Sequence, residues 1–330
     1  MPRIDSVEVA IPEEVTPYPR PHYNLHPFHY PTVISIVAST MISASEKLTK
    51  LHITLSFALL HTVLCYPNSK DSSIHLPMLR DLSLSLYPSF GSYDSPSDSF
   101  RSVAKKTALP FLRRHRSIIS SFVFRFQCTA FDYTPLLQGV SLPVRRCDLP
   151  LFNVEHGELL RFIGSCSTSL SSLTLHSQKP RYEDLSSFFG RLENTFSMPD
   201  LTSLSLVSHW ENYRLDLFNM NDSTFNFIAM HAFALTHLSM PQLVLSEISF
   251  VRLIGALGGA GRLVSLRVDV QCFLPGFFGL ASFSLPKLQE WVVFASWLAD
   301  ETKEDYLLVA EPFQKYWEVS DMLYIDWDVF

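Results

Sequence analysis

Glycine is scarce in this 330-residue chain, with 11 residues against 21 prolines, and that scarcity excludes collagen-like and glycine-linker architectures. Cysteine is sparse and scattered. Cys65, Cys128, Cys147, Cys166 and Cys272 form an odd set with no Cys-x-x-Cys, which is neither a disulfide framework nor a zinc site. Reduced, mostly buried thiols in a cytoplasmic or nuclear protein are the expectation. Charge is thin as well, at 18% of residues, against 47% hydrophobic and 13% aromatic. That balance supports a substantial core and excludes wholesale disorder. Long apolar runs are missing. Residues 33–43 are too few to span a bilayer, and 51–66 carry His52, Thr54, Ser56, His61 and Thr62, short of the roughly 20 apolar residues a spanning helix needs. The first residues hold no apolar signal core. The expectation is a soluble chain with no membrane partner.

Signature chemistry is absent too. There is no Gly-x-Ser-x-Gly, no His-Glu-x-x-His and no kinase motif set. The one glycine cluster, Gly255-Ala-Leu-Gly-Gly-Ala-Gly-Arg262, follows a helical pattern and precedes a strand pattern. A phosphate loop needs the reverse order, so the cluster reads as a helix stop and turn. His22, His26 and His29 would need a helix to share a metal, and Pro21, Pro27 and Pro31 exclude one. Asp326 and Asp328, at strand spacing beside Trp327, read as a solvated edge. No catalytic residue, metal ligand or cofactor is assigned, and the expectation is a protein that is not an enzyme.

The formal net charge is −6, which argues against a nucleic-acid partner. Its distribution is uneven. Residues 300–330 hold nine acids and two lysines, leaving 1–299 at +1. Between Asp98 and Asp132 there are seven bases and no acid: Arg101, Lys105, Lys106, Arg113, Arg114, Arg116 and Arg125. The basic stretch and the acidic segment are read as two solvated surfaces, which could pair or each face a partner.

What the chain does have is a recurring phrase, Leu-x-x-Leu-x-Leu with conservative substitutes. It occurs at Leu48-Thr-Lys-Leu-His-Ile53, Leu79-Arg-Asp-Leu-Ser-Leu84 and, more loosely, Ile119-Ser-Ser-Phe-Val-Phe124. It returns at Leu170-Ser-Ser-Leu-Thr-Leu175, Leu201-Thr-Ser-Leu-Ser-Leu206, Leu235-Thr-His-Leu-Ser-Met240, Leu263-Val-Ser-Leu-Arg-Val268 and Leu288-Gln-Glu-Trp-Val-Val293. A weak extra copy is placed at Leu137-Gln-Gly-Val-Ser-Leu142. In the second half the intervals are 31, 34, 28 and 25 residues, a period that means stacked units of one strand and one return segment. The last two apolar positions of each phrase share one face of a strand, and the polar residues between them point the other way.

The return segments read as helices: Glu158 to Gly164, Tyr182 to Leu192, Phe225 to Met230 with Asp222 as N-cap, and Glu247 to Leu257 capped by Ser246. Residues 89–102, with six serines, read as an exposed loop. Three regions are expected: an irregular proline-rich segment over 1–45, a repeat solenoid over 46–299, and an acidic cap or tail over 300–330.

These phrases, with Leu76-Pro-Met-Leu-Arg-Asp-Leu-Ser-Leu84 and Leu285-Pro-Lys-Leu-Gln-Glu-Trp291, resemble leucine-rich repeats, most closely those of the F-box proteins of mushroom-forming fungi. The resemblance covers about 46–299. It implies an α/β fold, an irregular leucine-rich-repeat solenoid whose curved parallel sheet carries helices on the convex side. It further implies a protein target bound by the repeats, and an F-box that recruits the Skp1 adaptor of a ubiquitin ligase. The chain departs from that family at the asparagine after each strand, replaced by Gln178, His209, Leu243 and Gln271. The F-box itself is not found: Ile11-Pro-Glu-Glu-Val15 opens like one, but Pro17, Pro19 and Pro21 exclude the helix that should follow. The expectation is therefore a non-enzymatic target-recognition scaffold. The alternatives are a complete ligase receptor with a degenerate or missing F-box, partnered by Skp1, and a cryptic hydrolase using His and Ser.

On a strand face of this kind the alternate positions project outward. The candidate partner-binding residues are His176, His237, Ser239, Arg267, Asp269 and Glu290, with Trp210 nearby as an aromatic anchor.

Overall fold

A computed structural model describes residues 6–10, 30–65, 73–87, 96–126, 132–178, 182–193, 197–209, 222–259, 261–272, 284–297 and 323–324. The chain divides into two compact units, Met1–Cys166 and Ser167–Phe330, and the boundary falls inside the region expected to form one repeat array. Both units are α/β.

In the first unit five strands pair in chain order and in parallel: β1 (Ser6–Ala10), β2 (Lys50–Ser56), β3 (Asp81–Tyr87), β4 (Ser121–Phe126) and β5 (Arg146–Pro150). Between successive strands lie α1 (Tyr30–Ser43), α2 (Leu60–Leu64), α3 (Pro96–Val103) running through a π-helical turn into α4 (Leu109–His115), and α5 (Thr134–Leu137). Helix α6 (His156–Cys166) closes the unit. The second unit repeats the scheme with β6 (Ser172–Gln178), α7 (Tyr182–Glu193), β7 (Ser203–His209), α8 (Asp222–His231), β8 (His237–Leu245), α9 (Glu247–Gly258), β9 (Ser265–Cys272), β10 (Glu290–Trp297) and β11 (Leu323–Tyr324). In each unit the first and last strands are not neighbours, so neither sheet is closed into a barrel. No helix among the described residues is long and apolar enough to cross a membrane.

The register explains why the phrase repeats. Leu51 lies opposite Leu82, Leu82 opposite Phe122, and Phe122 opposite Cys147. In the second unit Leu173, Leu204, Leu238 and Leu266 form one rank. All of these side chains are buried, so each strand adds one rung to a continuous apolar layer that the helices cover. The first residue of every phrase, from Leu48 to Leu288, is buried beneath the turn that enters the strand. The residue after it acts as a rung of another kind: its carbonyl takes two successive N–H groups from the next turn. Arg80 and Asp81 both donate to Thr49, Ser120 and Ser121 to Arg80, Thr236 and His237 to Thr202, and Val264 and Ser265 to Thr236. Turn polar groups are thus satisfied by their neighbours before the strands begin.

Several expectations need correction. The extra copy at Leu137 is displaced: Leu137 ends α5, Gly139 turns the chain at a φ of 65°, and the strand phrase is Val144-Arg-Arg-Cys-Asp-Leu149. Val and Cys in place of leucine hid it. The segment over 1–45 is not wholly irregular, because Ser6-Val-Glu-Val-Ala10 pairs with β2 and α1 follows. Residues 96–102 are helical rather than loop, drawn in by Phe100, which is buried and stacks edge-on against Phe57 with ring centroids 5.7 Å apart. Most of 300–330, with Asp326 and Asp328, lies outside the described residues, as do Trp210, Ile11 to Val15, and His22, His26 and His29.

Candidate functional site

The outward strand positions of the second unit form ranks set by the register. Ser172, Ser203, His237, Ser265 and Glu290 make the first, and Thr174, Ser205, Ser239 and Arg267 the second. Adjacent strands lie about 4.8 Å apart and alternate residues about 6.8 Å apart, so His237, Arg267 and Glu290 fall within one patch across β8, β9 and β10. All three are exposed, and Ser239 and Asp269 are half-buried. Ser265 Oγ donates to Glu290 Oε2 at 2.7 Å, and His237 Nδ1 sits 2.8 Å from Thr236 Oγ1. Asp269 pairs with Val244 across a bulge after Met240, where Pro241 cannot donate to the ladder. The structure therefore brings five of the candidates together: His237, Ser239, Arg267, Asp269 and Glu290. It does not add His176. That residue lies on β6 and is 6% exposed, and Ser177 beside it is buried as well. As a partner contact His176 is corrected to a covered residue.

The first unit carries more charge on its outward positions, although its phrases yield no candidate site from the sequence. Lys50, Asp81, Ser121 and Arg146 form one rank, and His52, Ser83, Val123 and Asp148 the next. Arg125 Nη2 reaches diagonally to Asp148 Oδ2 at 3.3 Å; the Asp148 side chain is 3% exposed and the Arg125 side chain 58%. A carboxylate taken out of water needs its donors. Arg125→Ala is expected to destabilise the protein by about 1–3 kcal/mol, measured as a lower urea midpoint. Arg125→Lys, which keeps the charge, should recover part of the loss.

The perturbed histidines lie elsewhere. His115 ends α4 and His231 ends α8, both buried. In each, Nδ1–H donates to the carbonyl four residues back, Phe111 or Phe227, at 2.8 Å. In each, Nε2 accepts a backbone N–H from the segment leading into the unit's own strand, Leu76 at 2.9 Å and Met198 at 3.2 Å. The ring also packs on that phenylalanine, with centroids 4.3 and 4.4 Å apart. The two bonds fix the neutral tautomer. Burial pushes the His115 pKa down to about 4, with His75 and Arg114 adding to the effect, and burial lowers His231 likewise. Cys166 occupies the same place after Phe162, its Sγ 3.1 Å from the Ile163 carbonyl, and burial pushes its thiol up to about 12. The sequence signal was present as Phe-x-x-x-His/Cys-x-x-x-Leu/Ile at 111–119, 162–170 and 227–235. The two histidines are brackets between helix and turn rather than acid–base groups on the strand face. Among the described residues no group of three His, Cys, Asp or Glu side chains is placed to hold a metal ion.

Together these features define a class: an α/β protein built from successive strand–helix units, with an open parallel sheet in each half and a polar, exposed strand face. No protein-family model matches the chain, and no curated protein matches it significantly.

Proposed function

We propose that each unit is a run of irregular leucine-rich repeats, strands on the concave side and helices on the convex, and that the protein is a non-enzymatic interaction scaffold. The target is another protein, bound on the outward strand face of the second unit, in the manner of the target-recognition part of an F-box receptor. One observation carries this reading: the Leu-x-x-Leu-x-Leu phrases lie side by side in register, so their intervening polar residues line up as continuous ranks. Arg267, with His237 and Glu290 beside it, supplies the charged centre of that face, and arginine is among the residues that dominate interface energetics.

The double variant His237→Ala/Arg267→Ala tests it. Both side chains are exposed, so the unfolding free energy should change by less than about 0.5 kcal/mol. Quantitative interaction mass spectrometry with wild type and variant as baits should find a partner whose recovery falls at least tenfold. If every partner is retained equally by the folded variant, the assignment of this face fails.

A further inference from the structure

The seven bases between Asp98 and Asp132 do not share one surface. Arg125 joins the strand face, while the other six ride on the helical run from α3 to the turn after α4. That run buries Phe100, Ala104, Leu109, Phe111 and Leu112 on one side. Arg101, Lys105, Lys106, Arg113, Arg114 and Arg116 are all exposed on the other. At 1.5 Å per residue they form a stripe about 20 Å long. Lys105 and Lys106, adjacent in the π-helical turn Ala104–Ala108, are both exposed, as are the adjacent Arg113 and Arg114 in α4. Arg113 is tied to the Gln138 carbonyl at 3.3 Å and Arg114 to the Ser73 carbonyl. Arg101, Lys105, Lys106 and Arg116 have no ion-pair partner among the described residues. The charge contrast extends to the whole unit: residues 1–166 hold sixteen Lys and Arg against thirteen Asp and Glu, and residues 167–330 hold ten against nineteen.

We infer that this helical stripe is a second docking surface, separate from the strand face, and that its partner is an acidic polypeptide segment. Like charges held on one rigid helix raise the local potential, and carboxylates spaced along a chain relieve it. Nucleic acid fits less well. The two aromatic residues of the run, Phe100 and Phe111, are 1% and 0% exposed, so no ring is free to stack on a base, and the chain as a whole is negative. An anionic membrane fits less well too, since such helices insert apolar side chains, and among the described residues the exposed large apolar ones, such as Ile36, Phe233 and Ile248, lie outside this run.

The experiment is a fluorescence-anisotropy titration of a labelled 15-residue peptide of alternating Glu and Ser with the full chain. Binding is expected at low salt and should weaken at least tenfold near physiological ionic strength and above, as exposed charges are screened. Arg101→Gln/Lys105→Gln/Lys106→Gln should lose at least tenfold in affinity with an unchanged melting temperature, while Lys105→Arg/Lys106→Arg should bind like wild type. Equal binding by the triple variant, or tighter binding of a 15-base-pair duplex or of phosphatidylserine vesicles than of the peptide, would overturn the inference.

Discussion

Replacing His115 by alanine should lower the unfolding free energy by about 3–4 kcal/mol, the loss of a buried packed ring plus a buried donor left without its acceptor. The donor is the Leu76 N–H, which sits where the chain turns into β3, one residue before Pro77. Because the proline has no N–H of its own, that amide is the last backbone donor before the turn, and His115 reaches it from 39 residues away. The bracket therefore ties the end of α4 to the start of the strand that α4 follows in the chain. His115→Gln can offer an oxygen in place of Nε2 and should recover roughly a third of the loss, whereas His115→Phe, which fills the space without an acceptor, should not recover the bond. Urea unfolding of the four proteins gives the ranking, and hydrogen exchange at the Leu76 amide localises it. An alanine variant as stable as wild type would remove the bracket from the account.

Acid should unfold the protein for the same reason. The folded His115 takes a proton only near pH 4, the unfolded one near 6.5. Between those values the unfolded chain binds more protons, so stability is complete above pH 6.5 and falls as pH drops toward 4. At about 1.4 kcal/mol per pKa unit, the loss from this one residue between pH 7 and pH 4 is roughly 3 kcal/mol. The groups facing the ring reinforce the direction. His75 stacks on it at 5.7 Å, and Arg114 adjoins it in sequence; both oppose a further positive charge. His231 acts in the same sense in the second unit, where its pKa is also lowered. Urea midpoints measured from pH 7 down to pH 4 should therefore fall in both wild type and His115→Gln, with a slope shallower by that amount in the variant. Identical slopes would show that the acid sensitivity originates elsewhere.

These two tests both concern His115 and the framework, whereas the strand face and the helical stripe concern partners, and no residue substituted in one of these three places is substituted in another. A variant that loses partner capture at Arg267 without a shift in stability, and one that loses stability at His115 without passing through the strand face, would separate the two kinds of role.

Much of this was legible in the sequence. The phrases from Leu48 to Leu288 mark strands because two apolar residues two apart select one face of an extended chain. The helices α6, α7, α8 and α9 follow from apolar spacing and from caps such as Ser246, whose Oγ accepts the Ser249 N–H at 3.3 Å. The strands β1 and β5 were hidden for different reasons. β1 has only Val7 and Val9 among prolines on both sides of the chain, and β5 writes the phrase with Val144 and Cys147. His176 defeated the pattern outright: alternation marks it as an outward position, yet it is buried together with its neighbours Leu175 and Ser177.

The sequence alone thus determined which residues alternate, where apolar side chains recur, and hence that strands and helices would succeed one another. The tertiary structure alone decided which of those residues meet. An amide at position 76 and an imidazole at 115 are distant in the chain, and no local propensity relates them. They pair because a buried N–H must find an acceptor and only the folded layers put one within 2.9 Å.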